Sequence, residues 1–129
     1  VMPIKDFLKA PHVRDLLLSI KIPRVDNSMG HYTGFRHSAG DFPILTVAVS
    51  GNFSEPRIAV GARPMRAELA EGAMAYLKEN GITRETIEKA AAMAAEGLVF
   101  GSNMRGSAAY RRQLCRVLVS RGLMEVFEA

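Results

Sequence analysis

Residues 105–124 read Arg-Gly-Ser-Ala-Ala-Tyr-Arg-Arg-Gln-Leu-Cys-Arg-Val-Leu-Val-Ser-Arg-Gly-Leu-Met. Tyr110, Leu114, Val117 and Leu118 recur at helical spacing and share one face. Cys115, Val119 and Leu123 widen that face, and Arg111, Arg112, Arg116 and Arg121 spread over the remaining surface. Ser107 stands where its hydroxyl can accept from a free amide of the first turn. No helical pattern in the chain is longer. Each large apolar residue buried on it contributes roughly 1.5–3 kcal/mol, so the other elements have reason to collect there.

Upstream of this helix the period stays helical back to Pro64. Leu69, Ala73, Tyr76 and Leu77 mark one face, and Asn80-Gly81 ends it with a favoured C-cap glycine. Ile82 and Ile87 bracket Thr83 as a hydrophobic staple around an N-cap. The next helix carries Ile87, Ala91, Ala94 and Leu98, and its alanines imply close packing. Gly97 and Gly101 break it.

Further upstream the period is two. Residues 44–53 form the clearest strand, with Leu45, Val47 and Val49 on one face and Ile44, Thr46, Ala48 and Ser50 on the other. Residues 52–56 turn, and residues 57–62 return. Residues 31–38 make a preceding strand containing Tyr32 and Phe35. Residues 16–23 read as a strand too: Ile20 and Ile22 alternate with Ser19 and Lys21, and Pro23 stops it. Residues 3–9 form a short helical turn ended by Pro11. Strands first and helices after predict an α+β fold, a small antiparallel sheet of three to four strands packed against a C-terminal three-helix bundle.

The chain has 129 residues, 48% of them hydrophobic and 23% charged, as in one ordinary globular domain. No run of eighteen apolar residues predicts a membrane span, and Val1-Met2-Pro3-Ile4-Lys5 lacks the apolar core of a signal peptide. A cytoplasmic setting is expected. The net charge of +4 is scattered among acidic residues, which argues against a nucleic-acid partner and for contacts to acidic protein surfaces. The single cysteine rules out an internal disulfide and any cysteine-built zinc or iron–sulfur site.

Motifs for chemistry are sparse. Gly101 and Gly106 have phosphate-loop spacing, but Ser107 stands where the lysine is needed, so a helix–helix turn is expected. His12, His31 and His37 have no second ligand at metal spacing. No catalytic residue and no metal site are predicted. Cys115, on the apolar side of its helix, reads as a core thiol.

Arg105-x-Ser107-x-x-Tyr110-Arg111-Arg112, followed by Leu-x-x-Val-Leu-Val-x-Arg, resembles the end of the FAD-binding (medium) subunit of molybdenum hydroxylases, the xanthine dehydrogenase and carbon monoxide dehydrogenase flavoprotein family. Residues 16–23, Tyr32-Thr33-Gly34-Phe35-Arg36, residues 41–49 and the stretch from Ile58 through Pro64-Met65-Arg66-Ala67 resemble the same family in the same order. The chain departs from it at Gly40, where a basic residue is frequent, and at Asn103, where Asp is frequent.

The resemblance implies the C-terminal domain of such a subunit, as a fragment or a separate gene product. Residues 1–13 would be a linker from an N-terminal FAD domain and residues 14–129 the domain itself. Its cofactor would be FAD, shared with that N-terminal domain. Its partners would be that domain, a molybdenum-cofactor subunit and an iron–sulfur subunit, with electrons passing through FAD to NAD or another acceptor. The isolated chain would be inactive and could dimerise to cover its exposed face. Leu17 matches a leucine near FAD, and Arg36 matches a lysine near the isoalloxazine ring. Arg105, Tyr110 and Arg111 match structural residues: Tyr110 is expected to bury its ring, an arginine to bracket a helix end or a carboxylate, and Arg66 to pair with Glu68 or Glu71. The rival expectation is a stand-alone protein-interaction module with this fold and no flavin.

Overall fold

The structure is a computed structural model that describes residues 1–11, 16–24 and 29–127. In chain order it comprises helix α1 (Ile4–Lys9), strands β1 (Met29–Phe35), β2 (Leu45–Asn52), β3 (Glu55–Gly61) and β4 (Glu68–Leu69), and helices α2 (Glu71–Asn80), α3 (Arg84–Gly97) and α4 (Ala108–Phe127). The strands form one antiparallel sheet in the order β1-β2-β3-β4. Helices α2 and α4 rest on the sheet and α3 packs against both. The α+β architecture expected from the sequence is therefore present.

Alternation on β2 decides which face is covered. Leu45, Val47 and Val49 are buried, and so are Ile58 and Val60 on β3. With Ile44, Leu77, Ile87, Cys115, Val119 and Leu123 they form the core between sheet and helices. The opposite face carries Thr46, Ala48 and Ser50 of β2, paired with Gly34, Tyr32 and Gly30 of β1 and with Gly61, Ala59 and Arg57 of β3. It is floored mostly by small side chains.

The helices keep their expected order and capping. Thr83 accepts from the Thr86 amide while Thr86 Oγ1 accepts from the Thr83 amide, a reciprocal capping box for α3. Ala90, Ala91, Ala94 and Ala95 are buried and bring α3 close to α2 and α4. Helix α4 lies so close to the sheet that a Cβ at Gly122 would sit 2.9 Å from Val49 Cγ2. The β2–β3 turn is built by Asn52, whose Oδ1 accepts from the amides of Ser54 and Glu55. Gly51 there adopts φ +118.

Several local expectations are corrected. Residues 16–23 form no strand, and their apolar side chains are exposed. A strand needs a partner ladder, and none is present for them among the described residues. Strand β4 is an addition, made where Glu68 and Leu69 pair with Val60 and Ala59. Tyr110 is 42% exposed rather than buried, because the face of α4 that meets the core runs through Arg111, Leu114, Cys115 and Leu118. Arg111, expected on the helix surface, is almost wholly buried. Glu68 pairs with Arg63 and Glu71 with Lys5, leaving Arg66 to donate to the carbonyls of Leu8 and Ala10.

Candidate functional site

Three connections meet at one end of the sheet: residues 36–44 between β1 and β2, residues 62–67 between β3 and β4, and residues 98–107 between α3 and α4. Two buried arginines tie them together. Arg111 donates from Nε to the Ile44 carbonyl at 2.9 Å, from Nη1 to the carbonyls of Gly101 at 2.8 Å and of Gly106, and from Nη2 to Asn103 Oδ1 at 2.6 Å. Arg63 donates to the carbonyls of Arg66 at 3.1 Å and Val99 at 2.5 Å, and to Glu68 Oε2 at 2.5 Å. The Gly101 amide in turn donates to the Arg63 carbonyl at 2.7 Å. A planar guanidinium with five donors is suited to such convergent acceptors. Burial, and secondly the charge of Arg105, push the Arg111 guanidinium below its ordinary value.

This arrangement excludes a phosphate cradle at residues 101–107. The carbonyls of Gly101 and Gly106 turn inward to Arg111. The first amides of α4 are taken by Ser102 Oγ on Ala108 and Ser107 Oγ on Tyr110. An anion site needs free amides, and these are satisfied. The segment is a helix–helix turn, as its sequence predicts.

The outside of the loop cluster is aromatic and cationic. The rings of Phe35 and Tyr110 meet edge to face at 6.4 Å. Arg105 lies over the Phe42 ring at 5.2 Å and its Nε is 3.5 Å from Asp41 Oδ1. His37 Nε2 is 3.2 Å from the Arg105 carbonyl oxygen. Phe42 and Met104 are largely exposed.

Arg36 stands one residue beyond β1 and is exposed. A Cβ built on Gly34 would lie 3.4 Å from Arg36 Nη2 and 3.5 Å from Thr46 Cγ2. The guanidinium therefore folds back over Gly34 beside Thr46, on the sheet face that the helices leave open. Leu17 is 62% exposed in the segment ahead of β1, and no hydrogen bond or ring contact joins it to Arg36 among the described residues. The two predicted cofactor-binding residues are thus both accessible, Leu17 ahead of β1 and Arg36 just beyond it. His12 lies outside the described residues. His31 is half-buried, and Cys115 is a core thiol whose burial pushes it up to about 12.

These residues fit one side of a flavin and no more. A cation over Gly34 and Thr46 can face a planar ring, with the exposed Tyr32 rising from the same sheet face. The glycine-rich amide cradle that a pyrophosphate requires has no counterpart among the described residues. Sequence reading missed the hub at Arg63, which lies in a loop without a period, and named Arg111 as structural only through the resemblance, because an arginine at a helical position looks like solvated surface until its acceptors are placed. The glycine spacing of Gly30 and Gly34 against Thr46, Ala48 and Ser50 is the signal that could have revealed the open floor.

A concavity of about 1310 Å³ lies between α1 and the β4–α2–α3 edge. Its Lys5, Arg63 and Arg66 are each engaged within the chain. It is the seam along which α1 meets the domain.

Comparison with known proteins places this geometry. The profile of the family described as CO dehydrogenase flavoprotein C-terminal domain matches residues 30–126. The nicotine 6-hydroxylase medium subunit of Paenarthrobacter nicotinovorans is 29% identical over 116 residues, covering 86% of this chain and 41% of that protein. Among solved structures, quinoline 2-oxidoreductase from Pseudomonas putida 86 superposes with a TM-score of 0.69 at 26% identity, covering 78% of this chain and 37% of that one. A carbon monoxide dehydrogenase from Hydrogenophaga pseudoflava, in a form lacking the Mo-pyranopterin moiety, superposes with a TM-score of 0.73 at 24% identity, covering 81% and 38%. The latter likeness is one of fold. This chain spans about two fifths of the length of these relatives.

Proposed function

The chain belongs to the CO dehydrogenase flavoprotein C-terminal domain family, and on that premise we propose that it completes the flavin site of a molybdenum hydroxylase. In this reading residues 14–129 are the C-terminal domain of an FAD-binding medium subunit, and residues 1–13 link it to the flavin domain. A molybdenum-cofactor subunit and an iron–sulfur subunit complete the assembly. The flavin, when bound, accepts electrons singly or in pairs and hands them to NAD or another acceptor.

The observation that carries the proposal is the placement of Arg36. Its guanidinium lies over Gly34 at the head of the sheet face that the helices leave open, beside Thr46 and near the exposed Tyr32. A cation held there stabilises negative charge on a ring set against that face and orients an anionic acceptor. Arg105, steadied by Asp41 and Phe42, adds positive potential to the same end of the domain. Arg111 and Arg63 fix the loops that carry both. No glycine-rich amide cradle for a pyrophosphate occurs among the described residues, and in this reading the domain contributes to the site while its flavin domain holds the pyrophosphate.

The test is substitution at Arg36 in the chain joined to its flavin domain. Arg36→Ala should slow the reaction of reduced flavin with its acceptor by about tenfold, equivalent to about 1.4 kcal/mol. It should leave the melting temperature of the chain alone unchanged. Unaltered flavin kinetics would remove Arg36 from the site. The exposed aromatic rim also fits a stand-alone interaction module without flavin. Recovery of the chain with protein partners and no flavin would favour that second reading.

A further inference from the structure

We infer that the concavity beneath α1 is a binding site for an aliphatic carboxylate, an organic anion with an unbranched apolar tail. Neither Leu17 nor Arg36 lines it, so it is separate from the site proposed for flavin. Helix α1 does not fill this space. None of its residues is buried, and Ile4 and Phe7 are more than half exposed. It is held by polar contacts: Lys5 Nζ lies 2.6 Å from Glu71 Oε1, and Arg66 donates to the carbonyls of Leu8 and Ala10. Elements packed directly on each other leave few voids larger than a water molecule. A gap of about 1310 Å³ is large enough for a ligand, whose pockets span roughly 300–1,000 Å³.

The walls select the guest. Leu8, Leu69, Met93 and Leu98 make them aliphatic, and no aromatic side chain lines them. A flat ring would find nothing to stack on, whereas a flexible chain can follow them. No serine, threonine, asparagine, glutamine or histidine lines them either. A neutral polar guest would therefore find no neutral side chain to replace its hydrogen bonds to water. The polar lining is all charge: five lysines and arginines against three glutamates, an excess of two positive charges. Lys5 and Arg63 are neutralised by Glu71 and Glu68. Lys9 and Arg57 make no hydrogen bond or ion pair among the described residues, and both are exposed at the rim. Either can take a carboxylate while the aliphatic walls take its tail.

Calorimetric titration of the full chain with sodium decanoate, kept below its micelle concentration, tests the site. One decanoate should bind per chain. Each buried methylene strengthens binding about fourfold, so octanoate should bind at least about fivefold more weakly. Decanol, which lacks the charge, and decyltrimethylammonium, which reverses it, should each bind about tenfold more weakly than decanoate or worse. Gly72 borders the space from α2, and a Cβ there would meet nothing within 4 Å. Gly72→Trp should fill the space and abolish decanoate binding without lowering the melting temperature. Lys9→Glu combined with Arg57→Glu should weaken decanoate about tenfold and leave decanol unchanged, which keeps the test in force should the tryptophan disturb folding. Absence of decanoate binding would overturn the site. So would equal binding of decanol or of decyltrimethylammonium, or decanoate affinity in a folded Gly72→Trp chain or in the charge-reversed chain that matches the native one.

Discussion

Arg111 shows how one buried side chain can organise a surface that it does not itself reach. Its acceptors are three peptide carbonyls and the Asn103 carboxamide, from two separate connections. Removing the guanidinium would strand all four in a poorly hydrated pocket. Arg111→Met should therefore destabilise the domain by about 3–5 kcal/mol in urea denaturation, and Arg111→Lys should recover little, since an ammonium lacks the planar fork. Cys115 gives a prediction in pH. Its thiol is raised from 9.0 to about 12 in the folded chain, so the folded state keeps a proton that the unfolded state loses. The stabilisation is complete below pH 9 and declines as the pH rises toward 12. Melting temperature measured from pH 8 to 11 should fall in the native chain, and Cys115→Ala should fall less steeply from a lower start. The aromatic and cationic residue types were readable one by one. That Tyr110 faces the rim and Arg111 the core was not, because a helical pattern fixes the faces only to within a residue of rotation.

At the scale of elements, legibility followed periodicity and capping. Strand β2 announced itself by alternation, and α3 by the Thr83 cap and the flanking isoleucines, because these are local physical signals. Strand β4 did not, since two residues carry no period and their pairing with Val60 and Ala59 is set by the sheet. Residues 16–23 carry a strand pattern and no strand, because a ladder depends on a neighbour that sequence periodicity does not supply. The seam between α4 and β2 is set by Gly122, where a methyl group would press within 2.9 Å of Val49 Cγ2. Gly122→Ala should cost about 1–3 kcal/mol by overpacking, despite the better helix propensity of alanine. A thermal melt showing stabilisation would mean that α4 can move off the sheet.

On the scale of the whole molecule, the helices cover one face of the sheet and leave the other open, with Arg36 at its head, an aromatic rim at its end and an exposed apolar segment ahead of β1. The fold class and the family were legible from ordered motifs spread over most of the chain. The candidate site was legible only as two names taken from the resemblance, Leu17 and Arg36, because two exposed side chains leave no periodic or packing signal of their own. In the function proposed above, the domain contributes to a flavin site that it cannot form alone. Titration of FAD, followed by flavin fluorescence, tests it directly on the chain alone and on the chain with its flavin domain. The chain alone should show no saturable binding, and the two together should bind FAD more tightly than the flavin domain by itself. Stoichiometric binding by the chain alone, or binding by the flavin domain that is indifferent to this chain, would contradict it.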